Sequence, residues 1–183
     1  MATNTSLTID QYNALDEPVG VRYELDRGEL IAAPSPTPRH NIISGEVLNR
    51  MIAFAEEKNC GQPFYAIDVK LGENTVRRPD VMFFRRERLK GIDLKQVPML
   101  VVPDLVIEVV SKFDRPDDLM LKVRQYVRAG VQAVWVLYPK TREAYRYVPQ
   151  ALQPTVLDAE HGGKFEEPEL LPGFSILLSD ILH

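Results

Sequence analysis

Apolar residues recur at helical spacing in two long segments of the chain, residues 39–58 and residues 115–129. Within each segment the apolar positions lie three and four residues apart, which places them on one face of a helix. A glycine follows each segment, at Gly61 and Gly130, and glycine commonly ends a helix. The pattern therefore predicts two amphipathic helices, each with one face against a core.

Shorter apolar runs around these helices predict strands. Leu105–Val110 is rich in β-branched residues and is interrupted by one carboxylate, and Ala133–Tyr138 is almost wholly apolar, as buried strands are. Phe64–Leu71 and Val81–Phe84 complete the central set. The order helix, three strands, helix, strand (αβββαβ) predicts a mixed β-sheet flanked by helices, an α/β or α+β fold.

Two outer segments flank this core. Thr8 and Gln11 form a capping box for a short helix that reaches about Asp16. Hairpin signals follow on both sides of the core, and the predicted hairpin strands are Val21–Asp26, Glu29–Ala33, Glu143–Val148 and Thr155–Leu157. We expect a single domain over residues 1–183, with a core at about 38–140, an N-terminal helix and hairpin at 8–33 and C-terminal β segments at 141–183.

The composition is that of a soluble globular protein and excludes several kinds of site. Hydrophobic residues make up 45% of the 183 residues. One cysteine, Cys60, and three histidines are too few for a Cys/His zinc site. No stretch approaches the ~18 apolar residues of a membrane span, and no secretory signal is recognisable at the N-terminus. We therefore expect a cytoplasmic protein with no membrane partner.

Charge is unevenly distributed along the chain, whose net charge is −4. Residues 1–30 and 156–183 are acidic, whereas residues 77–128 carry twelve Lys or Arg against eight Asp or Glu. A basic middle between acidic ends is consistent with a surface that attracts phosphate, or simply with a solvated surface of uneven charge.

Two carboxylates stand where a carboxylate needs a partner. Glu108 interrupts an apolar strand, and burial of a carboxylate is costly unless it is paired or binds a metal. Asp80 follows Pro79 at the start of the preceding strand. Because adjacent strands lie roughly 4.8 Å apart, the two carboxylates can share one ion, and such oxygen donors suit Mg²⁺. The ordinary alternatives are an ion pair for Glu108 and turn chemistry for Asp80.

Asp104 also follows a proline and is a competitor for the same role. Four residues along one strand separate it from Glu108 by about 13 Å, which is too far for both to bind one ion. We therefore expect Asp104 to mark the start of a strand.

The arrangement of these residues resembles that of the PD-(D/E)XK nuclease superfamily, with a strand that begins Pro-Asp and a Glu in the next core strand. More narrowly, the chain resembles the Uma-type restriction endonuclease family over roughly residues 20–180. The matching segments are Arg78-Pro79-Asp80-Val81, Pro103–Ser111, Lys122, Tyr126, Gly130-Val131 and Trp135-Val136-Leu137, with Tyr23-Glu24-Leu25, Gly28-Glu29-Leu30 and His40 upstream.

The chain departs from the superfamily pattern at the lysine. That lysine lies two residues after the acid, and the position is Val110 here. Resemblance to the narrower family implies that Lys122 replaces it, and Lys122 and Tyr126 are spaced to share a helix face. Lys112 and Lys70 are rival candidates.

Further residues are candidates for supporting roles. Many superfamily members use an additional acid in the first long helix. Glu46 lies in that predicted helix, and Glu24 of the preceding hairpin is the rival candidate. A structural role is the alternative for both residues. His40 and Tyr126 complete the possible accessory residues. The arginines around the Asp80 strand are candidate phosphate contacts, namely Arg77, Arg78, Arg85 and Arg86.

The resemblance implies a DNA endonuclease in which Asp80 and Glu108 bind Mg²⁺, with Mn²⁺ as a substitute. Lys122 would orient the attacking water or stabilise the transition state. We expect DNA as the substrate and a homodimer, because enzymes that cut both strands commonly act as symmetric dimers. The alternative is a catalytically inactive member of the fold that binds DNA or a protein. A small-molecule hydrolase is disfavoured, since the sequence has neither a G-x-S-x-G elbow nor a histidine cluster.

Overall fold

The structure is a computed structural model and describes residues 6–183. Residues 1–5, where the segment examined for a secretory signal begins, lie outside the described residues. The helices are α1 (Ile9–Asn13), α2 (Pro38–Lys58), α3 (Pro116–Ala129) and α4 (Leu178–Ile181). None of the helices in the described part of the chain is long and apolar enough to cross a membrane.

The strands form three sheets. The strands are β1 (Val21–Asp26), β2 (Glu29–Pro34), β3 (Gly61–Tyr65), β4 (Val69–Gly72), β5 (Thr75–Arg77), β6 (Val81–Arg85), β7 (Leu105–Val109), β8 (Ala133–Tyr138), β9 (Glu143–Tyr147), β10 (Thr155–Asp158), β11 (Lys164–Glu166) and β12 (Ser175–Leu177). A 3-10 helix at Arg86–Leu89 follows β6 within an otherwise irregular connection to β7.

The largest sheet has the strand order β10-β9-β8-β7-β6-β3. Its one parallel pair is β7 and β8, which α3 connects, and the other neighbours are antiparallel. This arrangement confirms the predicted mixed sheet flanked by helices. The predicted C-terminal hairpin, β9 and β10, extends the sheet at one edge.

The two faces of this sheet have separate cores because side chains alternate along each strand. On one face, α2 packs against odd-numbered strand residues such as Phe83. On the other face, α3 packs against even-numbered residues such as Val106. Glu108 shares the parity of Val106 and therefore faces α3, where it meets Tyr126.

Local signals in the sequence explain where the long helices begin and end. Thr37 accepts a hydrogen bond from the His40 N–H at the start of α2, and Pro38 occupies the first turn. α2 ends at Asn59, which has a left-handed backbone with φ of 52°, two residues before the glycine that the sequence suggested. α3 ends at Gly130, with φ of 103°, as predicted.

A second sheet lies beside the first and has the order β2-β1-β5-β4. Its small core joins Leu25 and Val76 to Tyr12 of α1. β5 leads directly into β6 of the larger sheet through Pro79 and Asp80, so the two sheets meet at the start of β6.

The prediction of one strand over Phe64–Leu71 is wrong. β3 ends at Tyr65, and Ala66 takes a left-handed backbone conformation with φ of 47°. The chain then leaves the larger sheet and starts β4 in the second sheet at Val69. The two halves look like one strand in the sequence because each carries partly buried apolar residues, although they lie in different sheets.

The C-terminal residues pack on the α2 side of the larger sheet, where β11, β12 and α4 contribute to its core. Glu167 is 1% exposed and anchors this region. Its carboxylate accepts a hydrogen bond of 2.6 Å from the Trp135 indole N–H and two, of 2.7 and 2.9 Å, from the Arg146 guanidinium. Burial of this carboxylate is therefore compensated by three donors.

Candidate active site

Asp80 and Glu108 lie side by side at the junction of the two sheets. β6 and β7 pair with Val81 opposite Ile107, so the next position in this antiparallel register places Asp80 opposite Glu108. Residues opposite each other in such a pair carry their side chains on the same face. The Val109 N–H donates a hydrogen bond of 2.8 Å to Asp80 Oδ2, which fixes the carboxylate against β7. Both carboxylates line a cavity of about 390 Å³.

His40 reaches this pair from the first turn of α2. Its Nε2 lies 2.9 Å from Asp80 Oδ2, and its side chain is 8% exposed. Burial lowers the pKa of His40, but the hydrogen bond and charge of Asp80, together with the charge of Glu108 and a hydrogen bond with Asn41, leave the pKa above its ordinary value. His40 therefore helps to orient Asp80 and partly neutralises it.

Two residues of α3 contact Glu108 from the opposite side. The Tyr126 hydroxyl donates a hydrogen bond of 2.6 Å to Glu108 Oε1, and burial raises the pKa of Tyr126 well above its ordinary value. Lys122 Nζ lies 4.0 Å from the same oxygen. The four-residue spacing places Lys122 and Tyr126 on one face of α3, so the helix presents a cation and a hydroxyl to one carboxylate.

Glu24 of β1 is the closest partner of Lys122. Its Oε1 lies 2.9 Å from Lys122 Nζ and also accepts a hydrogen bond of 3.0 Å from the Arg78 N–H. Although burial raises the pKa of Glu24, Lys122 and Arg77 lower it below its ordinary value. Burial lowers the pKa of Lys122, but Glu108 and Glu24 raise it more, so the ammonium keeps its charge.

Arg77 completes a buried polar network behind Glu24. Its guanidinium lies 3.0 Å from Glu24 Oε2 and 3.2 Å from Asp26 Oδ2. Gln125 of α3 accepts a hydrogen bond of 2.7 Å from Arg77 Nε and donates one of 2.7 Å to Asp26. The second sheet is thus joined to α3 through polar groups that satisfy one another.

The pKa of Glu108 is strongly perturbed by its surroundings. Burial raises the pKa of Glu108 to about 8, with Asp80 and Glu24 adding to this effect and Lys122 opposing it. At neutral pH the raised pKa favours the protonated carboxyl, even with the Lys122 ammonium 4.0 Å away. A divalent cation in the cavity would favour the ionised form and relieve the repulsion between the carboxylates.

The donor set fits a magnesium ion that is held partly by substrate. Within residues 6–183, no group of three or more His, Cys, Asp or Glu side chains is arranged to hold a metal ion. Asp80 and Glu108 supply two carboxylates, and Mg²⁺ is commonly bound by one or two carboxylates with waters and substrate phosphates. Asp80 Oδ2 and Glu108 Oε1 are the oxygens that protein donors occupy, so each carboxylate keeps its other oxygen for a cation.

The four candidate phosphate-contacting arginines are in different surroundings. Arg77 is 3% exposed and is engaged by Glu24, Asp26 and Gln125, so its side chain is not free to contact phosphate as expected. Arg78 lines the cavity and pairs with Asp68, with 18% of its side chain exposed. Arg85 and Arg86 lie at the other end of β6, about 17 Å along the strand from Asp80, so they do not surround the site as expected.

The remaining candidates lie outside this cluster. Asp104 is fully buried and accepts hydrogen bonds from Arg85, Arg88 and Gln132, which agrees with its expected place at a strand start. Glu46 is not among the described residues that line the cavity.

The two rival lysines, Lys70 and Lys112, are also absent from the described lining of the cavity, whereas Lys122 is part of it. Lys70 lies in β4 of the second sheet. Lys112 is exposed in the loop after β7.

Sequence reasoning missed the network behind Lys122 and one wall of the cavity. Glu24 and Asp26 alternate with the core residue Leu25, which could have marked a polar buried face of β1. The loop Ser111–Arg115, which follows β7 and lines the cavity except at Lys112, gave no such signal because its residues are typical of loops.

A solved structure shows that this architecture is shared. The crystal structure of a protein from Anabaena variabilis ATCC 29413, described as "a putative nuclease belonging to DUF820", superposes with a TM-score of 0.85 at 20% sequence identity. The match covers 96% of this chain and 97% of that one. At this identity the likeness establishes a shared fold, and that fold contains the mixed β-sheet flanked by helices that the sequence predicts.

The family follows from the sequence as a whole. The family model Uma2, described as "Putative restriction endonuclease", matches residues 9–179. The chain belongs to this family, which confirms the resemblance noted from its motifs. No curated protein matches the chain.

Proposed function

We propose that this protein is a divalent-cation-dependent DNA endonuclease whose active site is the Asp80–Glu108 cavity. The observation that carries the proposal is the pairing of these two carboxylates across β6 and β7, with the Lys122 ammonium 4.0 Å from Glu108. The family description and the fold of the Anabaena protein point to the same class of reaction.

Asp80 and Glu108 would hold Mg²⁺, with Mn²⁺ as a substitute. When bound, such an ion would polarise a phosphate oxygen of the substrate and lower the pKa of the attacking water. Asp80 is held for this role by His40 and the Val109 N–H, and Glu108 by Tyr126. Preorganised ligands of this kind do not have to be reordered when substrate arrives.

Lys122 would act on the substrate phosphate. Its ammonium is a fixed positive charge beside the carboxylates, and the transition state of phosphodiester hydrolysis carries added negative charge on the phosphate oxygens. Glu24 holds the ammonium from the second sheet at 2.9 Å. In this proposal Glu24 is a positioning residue that acts through Lys122, and Glu46 has no role.

The decisive experiment is a nicking assay on supercoiled plasmid with Mg²⁺, Mn²⁺ or EDTA. We expect cleavage with either ion and none with EDTA. Asp80→Ala and Glu108→Ala should abolish cleavage while largely sparing DNA binding. Asp117→Ala is the matched control, because Asp117 is an exposed acid of α3 outside the cavity lining.

The alternative, a catalytically inactive module, predicts a different result. The purified wild type would then bind DNA or a protein partner without cleaving varied DNA substrates with either ion. Cleavage that persisted in both carboxylate variants would instead assign the activity to another site or to a contaminant.

We also propose that the protein forms a homodimer. β10 lies at an edge of the larger sheet and pairs with β9 on one side, and Val156 in this strand is half-exposed. An edge strand with an exposed apolar side chain favours pairing with a second copy. Light scattering at micromolar concentration should give twice the monomer mass of 20.8 kDa, and a monomer would contradict the proposal.

A further inference from the structure

Phe113 is an exposed aromatic side chain at the candidate active site. It is 50% exposed and is the one aromatic ring among the large exposed apolar side chains of residues 6–183. It lines the same cavity as Asp80, Glu108 and Lys122. Exposure of a phenylalanine forgoes the stabilisation that burial would give, and in the lining of this cavity the ring is available to contact a ligand.

The turn that carries Phe113 is held by its own hydrogen bonds. The Ser111 N–H donates to Asp114 Oδ2 at 2.6 Å, and the Phe113 N–H donates to Ser111 Oγ at 3.2 Å. Lys112 Nζ lies 4.9 Å from the centroid of the Phe113 ring. The ring is therefore supported on a local turn, with a cation over one face.

Positive charges line the same cavity. They are Arg22, Arg78, Arg115 and Lys122, and five acids line the cavity with them, namely Glu24, Asp80, Glu108, Asp114 and Asp118. The wall formed by β2 contributes Ile31–Pro34, mostly small and apolar residues. An aromatic ring with cationic side chains nearby is an arrangement by which proteins bind single-stranded nucleic acid, since the cations contact the phosphates and a base stacks on the ring.

A paired duplex does not satisfy this arrangement. The faces of bases within a duplex are already stacked on their neighbours, so an aromatic side chain finds a free base face only where a strand is unpaired. The cations by themselves would accept either form, because phosphate contacts carry no information about pairing.

We propose that the cavity binds single-stranded DNA, with an unpaired base stacked on Phe113 beside the phosphate at Asp80 and Glu108. The inference rests on the proposed function, because it takes the phosphate site at Asp80 and Glu108 as given. It adds that the DNA strand bound there is unpaired. The preferred substrates would then be single-stranded DNA, flaps and frayed duplex ends.

The test compares wild type with Phe113→Ala, Phe113→Trp and Leu152→Ala. Leu152 is a fully exposed apolar residue outside the cavity lining and serves as the matched control. Fluorescence anisotropy in EDTA measures the affinity for a labelled single-stranded oligonucleotide and for the same sequence as a duplex. We expect Phe113→Ala to weaken single-strand binding by roughly 5- to 150-fold, the range for loss of one base stack, and duplex binding less than twofold.

A base analogue reports the stack directly. Stacking should quench 2-aminopurine within the single strand on binding to the wild type and to Phe113→Trp. Phe113→Ala should leave it unquenched at saturation. Leu152→Ala should match the wild type in affinity and quenching.

The outcomes separate this inference from the proposed function. Unchanged single-strand affinity in Phe113→Ala, or an equal loss for both DNA forms, overturns the stacking proposal even if plasmid cleavage depends on Asp80 and Glu108. Selective loss of single-strand binding supports it even if the wild type cleaves nothing. A monomer–dimer shift in Phe113→Ala with unchanged DNA affinity would assign the ring to protein association and also overturn it.

Discussion

Lys122 of α3 and Glu24 of β1 form an ion pair of 2.9 Å that joins the larger sheet's helix to the second sheet. Lys122 is also 4.0 Å from Glu108, so the shorter contact determines where the ammonium lies before any substrate is bound. The hairpin of β1 and β2 therefore contributes to the candidate active site although it lies outside the central strands that carry Asp80 and Glu108.

Replacement of Lys122 by Met should slow cleavage while leaving DNA binding largely intact. Loss of one charge that acts in the transition state typically costs about 10²–10³ in rate. Single-turnover cleavage with saturating enzyme measures this step. Lys95→Met is the control, because Lys95 is exposed in the connection between β6 and β7. Equal rates for wild type and Lys122→Met would remove this lysine from the mechanism.

Glu24→Ala should destabilise the fold. Removal of this carboxylate takes a partner from the buried Arg77, and breaking a buried pair typically costs about 3–5 kcal/mol. Asp26 keeps a contact with Arg77, so we expect about 3 kcal/mol, measured by urea unfolding. Glu29→Ala, at an exposed acid of the same hairpin, should stay within about 0.5 kcal/mol of wild type.

Stability without divalent cations should depend on the ionisation of Glu108. Its pKa is about 8 in the folded protein and 4.5 when unperturbed, so between these values the folded state binds more protons than the unfolded state. The free energy of unfolding therefore falls as pH rises from about 5 to 8. Glu108→Gln lacks this ionisation, so its urea midpoint should increasingly exceed that of wild type across the same range.

His40 contributes a pH dependence of the same sign. Its pKa is raised on folding, so its stabilisation is present at low pH and is lost as pH rises through the folded value. Because the charge of Glu108 also raises the pKa of His40, the difference between wild type and Glu108→Gln reports the ionisation of Glu108 together with this effect on His40. Parallel pH profiles for the two proteins would contradict the raised pKa of Glu108.

Magnesium should stabilise the folded protein in proportion to its occupancy. A ligand at 100 times its dissociation constant adds about 2.7 kcal/mol when it binds the folded state alone. The shift in urea midpoint on addition of Mg²⁺ should be larger at pH 8 than at pH 6, because the cation competes with the Glu108 proton. Asp80→Asn and Glu108→Gln should lose the shift, and Asp117→Asn should keep it.

Arg115 and Arg86 should differ in their effect on DNA binding. Arg115 is exposed and lines the cavity, whereas Arg86 is exposed at the far end of β6. Arg115→Ala should lower the slope of log K against log salt by roughly 0.7 for a single strand, the value for one phosphate contact. Arg86→Ala should leave the slope unchanged, and the reverse result would move the DNA path to the other end of the sheet.

The central helices and strands could be predicted because their buried residues recur at regular spacing in the sequence. The helix over residues 115–129 and the strand Ala133–Tyr138 each bury one continuous surface, so spacing alone identifies them. β5 escaped prediction, since three residues are too few to show a period. Its pairing with Leu25 depends on contacts far apart in the chain.

The chemistry of the site could be predicted only in part, because some of its contacts join residues that are far apart in the chain. A carboxylate inside an apolar strand identified Glu108, and a four-residue spacing linked Lys122 to Tyr126. The buried partners of Arg77 come from β1 and α3, about fifty residues away on either side, so no local pattern shows that this arginine is unavailable to phosphate. Arg85 and Arg86 are close to Asp80 in the sequence, but an extended strand carries them away from it.

The polar network that runs from Glu24 through Arg77 and Gln125 has a consequence for synthesis of the protein. Lys122 and its partner Glu24 are separated by nearly one hundred residues, and both must be in place before the charge beside Glu108 is correctly held. A nascent chain on the ribosome that has not yet released α3, or a fragment that ends before it, contains both carboxylates of the candidate site but not the lysine. Under the proposed function, a half-made copy would therefore lack the charge that acts on the substrate phosphate, and any DNA cleavage by it would be slowed.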